Sequence, residues 1–340
     1  MTYEFRELDD SYHQQLLQLS KETNTGSDLF YVDRSPHFFG LSEEFGVTRH
    51  FGLFREKELI GCVAVSEQKR VLNQRCEKVY YVNDLRIHPD YHRTFAFYRL
   101  AEHLLTFYRN EGTVKWMFST VLDSNTNKIS MTKGSGLLPG GVEIAGTLHI
   151  GVPMFLKYRN SRFHISEIDG EEAWGVYKKL ARTQAFAPCG KQMFLRENGV
   201  FLVIKDDNNE ECLAICKLVN QSNARKLRLS SKLPFSFRIV NLFCRIANCP
   251  PFPNQDEAFR HGYMAFFAAK EKPQDYQREF ISYIQNKFKQ EYSYLFFGVS
   301  IDEAQYFRTN PFYIKLTSTT FVYGDIPANL SMDFHELTLI

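Results

Sequence analysis

The chain has 340 residues, 44% apolar and 24% charged, enough material for a sizeable core and outside the disordered, collagen-like and coiled-coil classes. The 41 Lys and Arg against 39 Asp and Glu leave a net charge of +2, too little for a sequence-independent grip on a nucleic-acid backbone. The absence of a long apolar run, a polar and acidic N-terminus and an odd count of seven cysteines give the expectation of a cytoplasmic protein with reduced thiols and no membrane span.

At about 100 to 200 residues per domain, the length predicts two domains. Tyr3 to Leu8 alternates as a strand, and Asp9, Asp10 and Ser11 offer N-caps for a helix carrying Leu16, Leu17 and Leu19. Thr23 to Gly46 has no clean period and reads as loop with a short helix. His50 to Arg55 and Leu59 to Glu67 flank a charged turn as a hairpin, and Lys78 to Ile87 is a longer strand stopped by Pro89. A helix over Phe97 to Tyr108, a buried strand over Val114 to Val121 and a polar helix over Asn125 to Lys133 follow. The pattern then restarts: a strand over Arg162 to Ile168, a helix over Glu171 to Arg182, paired strands over Gly199 to Lys205 and Glu211 to Val219, a long strand over Gly262 to Ala269, a helix over Gln274 to Phe288 and a strand over Tyr294 to Val299. One order of elements occurring twice is the sign of an internal duplication, with a linker at Lys157 to Ser161.

The segment that carries chemistry runs Val82-Asn83-Asp84-Leu85-Arg86-Ile87-His88-Pro89-Asp90-Tyr91-His92-Arg93-Thr94-Phe95-Ala96-Phe97. It resembles the acyl-CoA-binding motif of the GNAT superfamily of N-acetyltransferases, in which a central strand ends in a V-H-P-x-Y-like phrase. In that family a tight loop at a helix N-terminus then points backbone N–H groups at the CoA pyrophosphate. Aligned from Pro89-Asp90-Tyr91, His92 stands where the family has Arg or Gln, and Phe95 and Phe97 stand at its two small-residue positions. A register shifted by one places Arg93 at the basic position and Ala96 at the first small one. Under either register the resemblance implies phosphate contacts from His92, Arg93 and the backbone of Thr94, Phe95, Ala96 and Phe97.

A second phrase, Asp123-Ser124-Asn125 through Gly136-Leu137, is similar to the family's next motif and implies that Asn125 bonds the pantetheine arm. Thr132 stands at the family's Tyr position; its hydroxyl is a far poorer acid toward a leaving thiolate than a phenol with a pKa of about 10. Asp84 occupies the strand position from which the family takes a proton acceptor, beside the Leu85, Arg86 and Ile87 backbone that would flank the thioester. The plainer reading of Asp84 is a surface carboxylate paired with Arg86 or Arg93.

In the second half, His261 to Pro273 corresponds to the central strand but leads into no Gly-rich loop, so no CoA is expected there. Cys212 with Cys216 and Cys244 with Cys249 lack metal-ligand spacing, and no metal is expected. Arg225-Lys226-Leu227-Arg228 with Lys232 reads as a basic loop, most simply a solvated face, with an anionic substrate or lipid head group as the minor alternative. Pro250-Pro251-Phe252-Pro253 reads as a rigid connector, and Phe38, Phe39, Phe95, Phe97, Phe266 and Phe267 as core.

The resemblance implies an α/β (α+β) chain of two GNAT-like domains, each a mixed, mostly antiparallel sheet flanked by helices. Residues 1–157 would be the acyl-CoA-binding copy and 162–340 a degenerate copy. The implied reaction moves an acyl group, acetyl first of all, from acetyl-CoA or another acyl-CoA to a small-molecule or peptide amine by direct attack, without nucleic acid or metal. A non-catalytic acyl-CoA-binding protein, or an interaction protein of the same fold, is the alternative. The oligomeric state is left open.

Overall fold

The structure is a computed structural model and describes residues 2–23, 30–111, 116–124, 141–156, 163–196, 199–206, 211–230, 235–254, 257–271, 273–307, 310–324, 330 and 332–335. After β1 (Tyr3–Leu8), the Asp9 carboxylate accepts from the Ser11 N–H at 2.9 Å and opens a 3₁₀ turn that runs into α1 (His13–Glu22). There follow β2 (Phe30–Asp33), α2 (Gly40–Glu44), β3 (Val47–Arg55), β4 (Glu58–Leu72), β5 (Arg75–Ile87), α3 (Ala96–Glu111), β6 (Trp116–Leu122) and β7 (Val142–Pro153). Both tight hairpins, at Glu56-Lys57 and Asn73-Gln74, turn through two residues of positive φ, the backbone that matches the twist of the flanking strands.

The second half repeats the order. β8 (Ile165–Ile168) is followed by Asp169, which accepts from the Glu171 and Glu172 N–H groups at 2.8 and 3.1 Å and caps α4 (Gly170–Leu180). Then come α5 (Lys191–Arg196), β9 (Gly199–Lys205), β10 (Cys212–Val219), β11 (Lys226–Leu229), α6 (Phe235–Ala247), β12 (His261–Ala269), α7 (Pro273–Lys287), β13 (Tyr294–Ser300) and β14 (Ile314–Gly324).

Twelve strands form one sheet in the order β1-β3-β4-β5-β6-β14-β7-β13-β12-β10-β9-β8. Each half contributes five strands in succession, and the central pair is exchanged: β14, from the end of the chain, pairs with β6, while β7, from the first half, pairs with β13. All pairings are antiparallel except β5 with β6 and β12 with β13, the matching pair in each half. The repeated order expected from the sequence is therefore present as two matching sets of five strands, fused through the exchanged pair. A separate ribbon, β2 with β11, also joins the halves.

Three features depart from the expectations. Thr23 to Gly46 contains β2 as well as the short helix, because Phe30 is buried against Phe252 and Phe259 of the other half. The basic run at 225–228 is not a solvated loop: Lys226 to Leu229 is β11, Arg225 is buried, and the Arg228 Nε lies 2.7 Å from the Asp33 carboxylate. The thiols are not all reduced, since Cys76 and Cys189 form a disulfide between the two halves, a pairing with no sequence-spacing signature because its partners lie 113 residues apart. The expected helix over Asn125 to Lys133 and the linker at Lys157 to Ser161 lie outside the described residues. Among the described residues no helix is long and apolar enough to cross a membrane.

Candidate active site

β5 and β6 are bonded at only two positions, Tyr80 with Met117 and Tyr81 with Phe118, although β5 runs on to Ile87 and β6 to Leu122. Beyond those rungs the strands part and leave a wedge. Its cause is local: opposite β4 the register slips between Cys62 and Ala64, which pair with Arg86 and Asn83, so Asp84 and Leu85 together face Val63 alone. Asp84 takes φ of 48°, a left-handed conformation that Asp tolerates better than most residues. Such a bulge bends the strand and raises its twist, which turns the end of β5 away from β6. The Leu85 to Ile87 backbone lies along this opening.

The Asp84 side chain is 9% exposed and is held by two guanidinium groups, Arg34 Nη1 at 2.6 Å from Oδ2 and Arg86 Nη2 at 3.0 Å from Oδ1. Burial alone would raise its pKa, but the two arginines outweigh that and hold the carboxyl well below the ordinary carboxylate range. Asp84 is thus not a surface carboxylate. It pairs with Arg86, one of the two partners anticipated, and with Arg34 in place of Arg93, which is exposed. Arg34 also donates to the Phe38 carbonyl and lies 4.8 Å from the centre of the Phe38 ring.

After β5, the chain makes a 3₁₀ turn over Pro89–Tyr91, with His88 Nδ1 accepting from the Asp90 N–H at 3.3 Å. His92 Nε2 donates to the Ile87 carbonyl at 2.7 Å, which ties its ring back to the strand end. Thr94 Oγ1 accepts from the Ala96 N–H at 3.2 Å, and α3 begins there with no acidic residue in its first turn. First-turn amides have no partner within the helix and carry its positive dipole end. None of residues 88–97 has a positive φ, so this loop does not need glycine for its backbone conformation. Phe97 packs against the core on the α3 side of the sheet, whereas Phe95 is 68% exposed and is not the core residue expected. Phe38, Phe39 and Phe266 are buried, and Phe267 partly so. Asn125 and Thr132 lie outside the described residues.

The opposite face of the sheet carries a layer of buried polar groups covered by segments from both halves. Ser42 Oγ meets His50 Nε2 at 2.8 Å, Asn83 Nδ2 donates to Ser66 Oγ at 3.1 Å, and His149 Nε2 meets Ser318 Oγ at 2.7 Å. Burial pushes His50 down to about 4 and His149 to about 3, so both are neutral near pH 7. Arg225 is close enough to act electrostatically on Arg34, Tyr81 and His149. Asn83 Oδ1, Arg34 Nε and His149 Nδ1 are buried and have no hydrogen-bond partner among the described residues. Arg34 and His149 carry no local signal in the sequence: neither stands in a motif, and only the folding of residues 30–39 over β5 and the exchange of β7 bring them to this face.

The second half keeps the same geometry without the same groups. β12 and β13 pair from His261 to Tyr263 and then part, and the register slip between Ile215 and Lys217 places Phe266 at the bulge. Lys217 is fully buried there, donating to the Phe194 carbonyl at 2.8 Å beneath the Phe201 ring. Only residues 270–272 separate β12 from α7, where residues 88–95 separate β5 from α3. A pocket of about 700 Å³ lies elsewhere, lined by residues such as Asn248, Pro250, Glu257 and Arg260. That pocket gathers none of the motif residues, which lie instead along the β5–β6 opening. Among the described residues no cluster of three or more His, Cys, Asp or Glu is placed to hold a metal.

Residues 13–136 match the model of the acetyltransferase (GNAT) family. No curated protein sequence matches the chain. N-myristoyltransferase of Saccharomyces cerevisiae with bound myristoyl-CoA shares the fold with a TM-score of 0.59 at 8% identity, over 99% of this chain and 89% of that one. A GCN5-related N-acetyltransferase from Anabaena variabilis gives 0.56 at 10% identity, over 94% and 72%. One from Kribbella flavida gives 0.52 at 8%, over 94% and 70%. The chain is a tandem GNAT-fold protein whose family motif lies in its first half.

Proposed function

We propose that the protein is an N-acyltransferase that moves an acyl group, acetyl in the first instance, from acyl-CoA to the amine of a small molecule or peptide. The observation that carries this reading is the β5–β6 opening, with the bulge at Asp84 on its wall and the start of α3 beyond it. The thioester lies along the Leu85, Arg86 and Ile87 backbone, where a strand N–H that faces the opening can polarise its carbonyl. The pyrophosphate lies at Arg93 and the backbone that opens α3, with the Phe95 and Phe97 amides as its donors because the Thr94 and Ala96 N–H groups already bond the Tyr91 carbonyl and Thr94 Oγ1. The motif resemblance assigns the pantetheine contact to Asn125 and the family's general-acid position to Thr132.

The amine approaches from the buried polar face and attacks the thioester carbon directly. The C–N bond forms as the C–S bond breaks, the amine's proton passes to water or to a neutral buried group, and CoA leaves as a thiolate that takes a proton from water. Asp84 then acts through Arg34 and Arg86, fixing the strand end, because both its oxygens are already bonded. A second reading, acyl-CoA binding without transfer, is favoured by that same pairing and by Thr at residue 132.

Titration calorimetry with acetyl-CoA and a long-chain acyl-CoA, followed by thiol release in an amine screen, tests both. Binding with amine-dependent thiol release is the expected result. Binding without release supports the second reading, and no binding removes both.

A further inference from the structure

We propose that α6 is a docking element for the surface of an anionic phospholipid bilayer. Ile239, Leu242, Phe243 and Ile246 recur at helical spacing and are 43%, 57%, 41% and 73% exposed, forming one unbroken apolar stripe. The other side of the helix is anchored: Val240 and Cys244 are buried, and Asn241 Oδ1 accepts from the Phe252 N–H at 2.7 Å. The stripe therefore belongs to a fixed helix, and the Phe243 ring stacks on Phe155 at 5.6 Å.

Charge selects the occupant. α6 carries two Arg residues and no Asp or Glu, and no acid stands in the sequence from Cys212 to Gln255. Arg238 and Arg245 are exposed on α6 itself, beside the stripe. A second copy of the chain would set these arginines against their own equivalents, with no acid on the helix to separate them. An anionic lipid surface instead accepts apolar side chains at the acyl boundary and cations at the head groups, an arrangement that needs no shaped partner. Docking through α6 does not depend on acyl transfer, since the helix belongs to the second half and carries none of the motif residues.

Vesicle flotation of the full chain tests it, with phosphatidylcholine alone and mixed with phosphatidylserine. The expected result is flotation with the anionic vesicles, weakened at high salt and weak on phosphatidylcholine. Arg238→Ala with Arg245→Ala should weaken anionic binding on the order of 25-fold. Leu242→Glu with Ile246→Glu should abolish it, with circular dichroism and melting unchanged because both positions are exposed. Failure of the folded wild type to float, or equal flotation by both variant pairs, overturns the proposal. So does a wild-type dimer in sedimentation velocity that ignores vesicles and is dissolved by Ile246→Glu, which would mean that a second copy covers the stripe.

Discussion

Asp84 and Phe266 occupy the same place in the two halves, each at the bulge of a central strand with φ near 50°. One position has kept a carboxylate between two arginines, and the other holds a ring packed on Tyr177 and Phe194. The duplicated backbone has thus preserved the opening twice, and side chains decide which copy can receive a polar ligand.

Removing the Asp84 carboxylate leaves two buried guanidinium groups without their shared anion. Asp84→Ala should cost about 3 to 5 kcal/mol in urea unfolding. Asp84→Asn should cost less, since Asn tolerates the left-handed backbone and keeps one acceptor. Equal stability of wild type and Asp84→Ala would show that the pair of arginines is not held by this residue.

Acidification should destabilise the fold well above the usual carboxylate range. His50, His149, His261 and His335 are pushed by burial to about 4, 3, 4 and 4. Below pH about 6.5 the unfolded chain binds protons that the folded chain refuses, so stability falls as pH drops from 6.5 toward 4. The limiting slope is about 1.4 kcal/mol per pH unit for each histidine. Asp84, with a depressed pKa, adds a further loss only below pH about 4. Denaturant midpoints from pH 8 to 4.5 measure this, and His149→Asn should reduce the slope by one proton.

The exchanged strands make each half incomplete alone. A fragment ending at residue 157 retains β6 and β7 but lacks β14, which lies between them. It should show no cooperative unfolding transition, and co-expression with residues 162–340 should restore one. An independently folded 1–157 fragment would contradict the exchange.

Phe95 and Phe97 should separate in their effects. Phe95→Ala, at an exposed ring, should change stability by no more than about 0.5 kcal/mol. Phe97→Ala, against the α3 core, should cost roughly 2 kcal/mol. Arg93→Ala should weaken acyl-CoA binding about tenfold while leaving unfolding unchanged.

Periodicity and caps made the repeated order legible, because Asp9 and Asp169 each cap the helix that follows a first strand. The motif likewise led to the strand end at Val82 to Ile87 and to the start of α3. Pairing across long separations was not legible. β7 and β14 meet strands of the opposite half, Cys76 joins Cys189, and Arg225 reaches the N-terminal face only because β11 pairs with β2. A local pattern carries no record of such partners. The pairing of Asp84 with Arg34 was hidden for the same reason, since residues 50 apart meet only once β5 has bulged.

Hydrogen–deuterium exchange of the full chain with and without acetyl-CoA locates the ligand on the sheet. The expected result is ligand-dependent protection over Val82 to Ile87 and Thr94 to Tyr98, with residues 264–269 of the second half unchanged. Protection confined to residues 264–269, or none anywhere at saturating ligand, would overturn the assignment of acyl-CoA to the β5–β6 opening.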